Sequence, residues 1–250
     1  MTKRKIPPTR FPDAVAVTYQ RRLLKLVREM HKMTLQEFDK AIKLQIQSYQ
    51  ADANELTAIQ RLLDLIKAMA LNIFNDATLL DIANSFVVGL NLFNMKNMND
   101  QAKVAGVNPI VFEEWIDDYI QSSITQNVGY IKSIEEQYHK KVETVVYEGV
   151  KNGTSTKEIR EQIVKAFHVS ESKAQFLAVD QSGTIHGQLV AKRHKNMGVK
   201  KFEWNDSNDE RVRKTHQALD GKVFSYEQPP SEGLPGTPYR CRCTAYPKFE

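Results

Sequence analysis

The chain has 250 residues, 26% charged and 41% apolar, a globular balance that excludes a low-complexity or disordered polymer. No run of about 18 apolar residues is present, so no membrane-spanning helix is expected, and the basic start lacks the apolar stretch of a secretory signal. The formal charge of +5 divides as +7 over the first 50 residues, −7 over the next hundred and +5 over the last hundred. Basic ends of this kind suit nucleic acid or an acidic protein surface, or are plain solvated faces.

Residues 1–12 carry Pro7, Pro8 and Pro12 with four basic side chains, which predicts an extended arm, mobile or ordered only against a partner. A helix is predicted from Asp13, with Val15, Tyr19, Leu23, Leu26, Met30 and Met33 on one stripe. Thr34-Leu35-Gln36-Glu37 has capping-box spacing, so a break or the start of a second helix is expected there. The stripes of 50–105 predict two more helices, joined near Asn75–Thr78. Gly106 to Pro109 is a break. A long helix is expected from Pro109 to about Glu148, with Phe112, Trp115, Ile131, Tyr138 and Val145 on its face and Gly149 and Gly153 at its end. Ser155-Thr156-Lys157-Glu158 is a capping box for a short helix, and Ser170 is expected to cap another that runs to Asn196 and ends at Gly198. Short strands are expected at Val199–Asn205, Lys222–Phe224 and Tyr239–Tyr246, around a helix from Asp209 to Leu219. The predicted fold is mainly α: a basic arm over 1–12, a long helical part over 13–150, and a small α+β domain over 151–250.

The chemistry-bearing residues sit in that last domain. The only two cysteines are Cys241 and Cys243. A Cys-x-Cys pair is too close for an unstrained disulfide, and on an extended segment both thiols face one way. With His216 and Asp209 from the preceding helix they form a candidate tetrahedral set for structural zinc. The competing reading makes them small buried hydrophobes beside a core histidine. Asp209 also fits a pairing with Arg213 one turn on. Lys192, Arg193 and Lys195 are a candidate DNA-contacting cluster, or a solvated helix end. His186, His194 and His216 are candidate acid–base groups for a nuclease, though no paired carboxylates or phosphate-binding glycine loop accompany them.

The pattern Trp204, then Asp209-x-Arg211-Val212-Arg213-x-x-His216-x-x-Leu219-Asp220-Gly221, then Pro238-x-x-Cys241-Arg242-Cys243, resembles the C-terminal signature of the Mu F-like minor head proteins, the head morphogenesis proteins of tailed phages. Further similar pieces are Val128 to Ile134, the helix from Gly153 to Phe167, and Ala174 to Ala178, so the resemblance covers roughly 110–247. One stretch departs: where the family carries an Ala-Arg-Thr-Glu-like run, this chain has Ala178-Val179-Asp180-Gln181-Ser182-Gly183.

The resemblance implies a non-enzymatic virion component inside the head, assembled in the host cytoplasm and not at a membrane. It implies association with the portal protein, with major capsid or inner head proteins and with packaged double-stranded DNA, in head assembly and genome delivery. The alternative function is a nucleic-acid-processing enzyme using His216.

Overall fold

The computed structural model describes residues 5–48, 53–108 and 113–249. Residues 1–4 of the arm, and Pro109 and Phe112 of the expected long helix, lie outside them. In order come α1 (Asp13–Glu37), a π-helical turn (Phe38–Ile42), α2 (Lys43–Ser48), α3 (Ala53–Ile73), α4 (Asp76–Ala105), α5 (Ile116–Lys151), α6 (Thr156–Asn196), β1 (Lys201–Asn205), α7 (Lys214–Gln217), β2 (Val223–Ser225) and β3 (Thr244–Lys248). The class is the expected one, long helices followed by a small antiparallel sheet of order β2-β1-β3. Among the described residues no single helix is long and apolar enough to cross a membrane.

The chain folds into two compact units. Unit 1 collects Met1–Tyr19, Ala83–Asn127 and Phe176–Glu250; unit 2 collects Gln20–Ile82 and Val128–Gln175.

Unit 2 is wholly helical in its regular structure and follows the apolar period. Leu23, Val27 and Met30 of α1, Ile59, Leu63, Ile66 and Ala70 of α3, and Ile131, Ile134, Tyr138, Val142 and Val145 of α5 are all buried. Three- and four-residue spacing stacks such side chains on one face, which is where the stabilisation by burial comes from. Asn75 caps α4, its Oδ1 accepting from the Thr78 amide at 2.9 Å. The capping box at the start of α6 forms as expected, with Ser155 and Glu158 exchanging backbone-to-side-chain bonds of 3.2 Å in both directions. Two expected helix starts do not occur. The Thr34 hydroxyl donates to the Met30 carbonyl at 2.9 Å, and the Ser170 hydroxyl to the Ala166 carbonyl at 3.2 Å. Each satisfies its side chain inside a continuing helix rather than capping a new one, so α6 runs unbroken for 41 residues. Gly149, expected to end α5, is internal: a Cβ there would lie 2.5 Å from Ile159 Cδ1, so the glycine allows α5 and α6 to approach.

Unit 1 combines the sheet with stretches of four helices and the arm. Residues 5–12 are not a loose tail. Thr9 is buried and its hydroxyl donates to the Ala245 carbonyl at 2.6 Å. Asn97 and Gln101 of α4 donate to the carbonyls of Pro8 and Pro7, and the Tyr246 hydroxyl to that of Ile6. Prolines lack the N–H that a helix or sheet would use, but their free carbonyls accept side-chain donors, which is what orders this arm. After α6, Gly198 at φ +80° lets the Val199 amide return to the His194 carbonyl at 2.9 Å, a left-handed cap that turns the chain into β1. In the sheet Trp204 pairs with Ala245 and Phe202 with Pro247. Pro247 is tolerated because β3 is an edge strand. Phe202, Trp204, Tyr226, Ala245 and both cysteines share one buried cluster.

Candidate metal centre

α7 is a single turn over Lys214–Gln217, with no helix at Asp209. It points His216 inward, while the loop after Pro238 returns Cys241 and Cys243 to the same place. All three are 2–3% exposed. His216 Nδ1 lies 3.6 Å from Cys241 Sγ and 3.5 Å from Cys243 Sγ. The three donor atoms lie within 4.8 Å of one another, and the group could hold a metal ion. Its surroundings favour that use. His216 Nε2 faces Glu232 Oε2 at 3.3 Å, and a proton held there leaves Nδ1 with a free lone pair. The Cys243 amide donates to Cys241 Sγ at 3.4 Å. A hydrogen bond between the thiols lowers Cys241 and raises Cys243. Trp204 closes one side, its ring edge-on to His216 at 5.3 Å.

The cysteine loop is seated on α6 through backbone. A Cβ on Gly183 would lie 2.3 Å from the Cys241 carbonyl oxygen and 2.7 Å from that of Gly236. A Cβ on Gly187 would lie 2.4 Å from the Pro235 carbonyl oxygen. Glycines at i and i+4 thus clear a flat strip on the helix for the loop. Asp180, on the same helix, accepts from the Arg240 amide at 3.0 Å. Arg240 sits at φ +52°, a left-handed conformation that costs a non-glycine residue about 1–3 kcal/mol. It is held in a turn closed by the Cys241 amide on the Pro238 carbonyl at 2.9 Å. Asp180 and Gly183 fall in the stretch that departs from the phage-family pattern, and here they position the thiols.

Asp209 lies beside this group rather than in it. Its carboxylate pairs with Arg242, not Arg213, and its Oδ1 accepts from the Arg211 amide at 3.0 Å. That Asx turn replaces the expected helical turn, because a carboxylate bonded two residues on competes with helix. Asp209 nonetheless shares with His216, Cys241 and Cys243 the wall of a cavity of about 240 Å³, with Arg211, Arg213, Arg240 and Arg242 on the rest of it.

The basic cluster splits. Lys192 and Lys195 are exposed. Arg193 is not available to a phosphate: it is 0% exposed and its Nη2 pairs with Glu113 at 2.6 Å. Asn94 and Asn91 side-chain oxygens accept from the same guanidinium at 2.8 and 2.6 Å. One residue along a helix is a rotation of about 100°, which turns Arg193 inward between two outward lysines. His186 and His194 are buried too and lie outside the cavity wall. Burial lowers them to about 4 and about 3. His194 joins a polar chain, Nδ1 to the Tyr226 hydroxyl at 2.5 Å and Nε2 to Gln101 Oε1 at 3.0 Å. Sequence reasoning missed Glu232, Asp180, Gly183 and Glu113. Only the Gly183–Gly187 spacing offered a visible signal.

Residues 140–246 match the family described as Phage Mu protein F like protein. An uncharacterized protein of Haemophilus influenzae is 33% identical over 171 residues, covering 68% of this chain and 37% of that relative. An uncharacterized protein of Methanocaldococcus jannaschii is 30% identical over 122 residues, covering 46% of this chain and 18% of the relative. The chain thus spans well under half the length of these relatives. No solved structure matches it. The matched segment contains His216, both cysteines, Glu232, Asp180 and Gly183, so the candidate ligands lie in the part of the chain that is similar to the Phage Mu protein F like family.

Proposed function

We propose that the protein is a minor head component of a tailed phage, lying inside the head and associating with the portal protein, neighbouring head proteins and packaged DNA during assembly and genome delivery. Residues 151–250 serve as a module stapled by structural zinc. The observation that carries this reading is the His216–Cys241–Cys243 group inside the family segment. Zinc bonds of about 2.3 Å to sulfur and about 2.05 Å to nitrogen, at a tetrahedral angle, place those donors about 3.6 Å apart. The separations present are 3.5 and 3.6 Å, so both nitrogen–sulfur pairs are spaced as the ion requires. Bound zinc supplies a cross-link between α7 and the cysteine loop, segments with little regular structure of their own.

His216 as a nuclease base is less well supported. Nδ1 is turned to the sulfurs and Nε2 to Glu232, leaving neither nitrogen free for a substrate proton. A structural role also suits the exposed Leu65, Leu71 and Leu80 of unit 2, apolar surface that a partner would cover. Lys192 and Lys195 remain outward for DNA phosphates. Two measurements test the reading. Elemental analysis should find one zinc per chain, lost in Cys241→Ser. The protein should co-migrate with portal protein in size-exclusion chromatography; clean separation at low and moderate salt would sink the head-component assignment.

A further inference from the structure

We infer that the metal centre is open at its fourth position and that the arginine-lined cavity delivers a phosphate oxygen to it, an inference that rests on the metal reading above. Among the described residues the donor group holds three. A tetrahedral ion held by three protein ligands keeps a fourth position for water or an exogenous ligand, while its three protein bonds still cross-link α7 to the cysteine loop. A neutral imidazole and two thiolates balance a divalent cation, so the centre has no net charge that would repel an anion.

The three ligands themselves form part of the cavity wall, which puts a fourth position on the ion within reach of that space. Its other charged lining is Asp209 and four arginines. Asp209 is committed to Arg242 and lies 3.8 Å from Arg211. Arg213 donates to the Tyr239 carbonyl, a neutral acceptor that leaves its charge uncompensated. Arg240 lies over the Phe176 ring at 5.8 Å. Arg242 also lies 3.7 Å from the Asp13 carboxylate, so four guanidiniums stand against two carboxylates, and the remaining positive charge makes this an anion site. The number of donors selects the anion. A carboxylate that gives one oxygen to the metal has one left, whereas a phosphate keeps several, and guanidinium forks bind them in pairs. The phosphate group is either free or part of a nucleic-acid backbone.

The test uses the full chain loaded with Co²⁺, whose visible and near-ultraviolet absorption reports thiolate ligation and coordination number. Thiolate-to-cobalt charge transfer should appear on loading. Adding millimolar inorganic phosphate, or a short oligodeoxynucleotide at equal phosphate in a second arm, should then shift the visible bands. Response to either probe supports the site and tells free phosphate from phosphodiester. In Arg211→Ala/Arg213→Ala, cobalt uptake should be unchanged while the phosphate midpoint rises at least about tenfold, as loss of charge-assisted hydrogen bonds requires. Absence of the charge-transfer band would remove the metal reading itself. A normal band with visible absorption indifferent to both probes would overturn this inference alone. So would a changed phosphate-free spectrum in Asp209→Asn, which would make Asp209 the fourth ligand.

Discussion

Unit 2 buries four polar or charged side chains among its described residues, Thr34, Glu135, His139 and Ser170, while unit 1 buries fourteen. In unit 2 the two hydroxyls bond the helix that carries them, and its hydrophobic stripes supply the packing. In unit 1 Ser182 does the same, but other buried polar groups reach far along the chain: Thr9 to Ala245, Gln101 to His194, Arg193 to Glu113. A hydrophobic stripe tolerates any side chain of similar shape. A buried polar group needs its particular partner, because an unpaired one keeps its full desolvation cost. Unit 1 is therefore the specified half of the molecule, and the candidate metal-ligating group is built there.

This contrast can be broken most directly at its ion pairs. Arg193→Ala in unit 1 leaves Glu113 buried and uncompensated, and should lower unfolding free energy in denaturant titration by about 3–5 kcal/mol. The Arg160–Asp39 pair of unit 2 is nearly half exposed on both sides. The glycines offer a second, smaller comparison. Gly183→Ala drives a Cβ into backbone carbonyls and should cost about 1–3 kcal/mol, with weaker zinc retention against a chelator. Gly149→Ala meets the side chains of Ile159 and Thr154 rather than backbone, and should cost less; equal losses would show that the backbone seat of the cysteine loop has no special role.

Protonation sharpens the comparison further. Burial lowers His194 from 6.5 to about 3. Below pH 6.5 the unfolded chain takes up a proton that the folded chain refuses, so stability falls as pH drops from about 6.5 toward 3, by about 1.4 kcal/mol per pH unit for this residue. Denaturant titrations between pH 6 and 5 should show His194→Gln losing that share of the slope. The smallest effect belongs to the exposed pair: Arg160→Ala should change stability by about 0–1 kcal/mol. A loss there as large as that of Arg193→Ala would dissolve the distinction between the units.

Unit 2 was legible in the sequence because the 3.6-residue period of Leu23, Val27 and Met30, or Ile131, Ile134 and Tyr138, records which face is buried. The errors there came from local signals with two uses. Thr34 and Ser170 have hydroxyls that cap a helix or bond back into it, and spacing does not distinguish these. The site was half legible. His216, Cys241 and Cys243 stood out as residue types, and their spacing set the expectation of a shared metal. Asp209 was included by helical spacing that the chain does not adopt, and Arg193 by adjacency to lysines that face the other way.

By itself the sequence determined the helical class, the apolar seams and the three ligand types, because periodicity and chemistry are properties of neighbouring residues. Only the tertiary structure decided that Glu232 stands behind His216, that Gly183 seats the Cys241 carbonyl, that Glu113 takes Arg193, and that four arginines ring the cavity beside the thiols. Each of these joins residues far apart in the chain, where no local pattern records the partner and packing alone selects it.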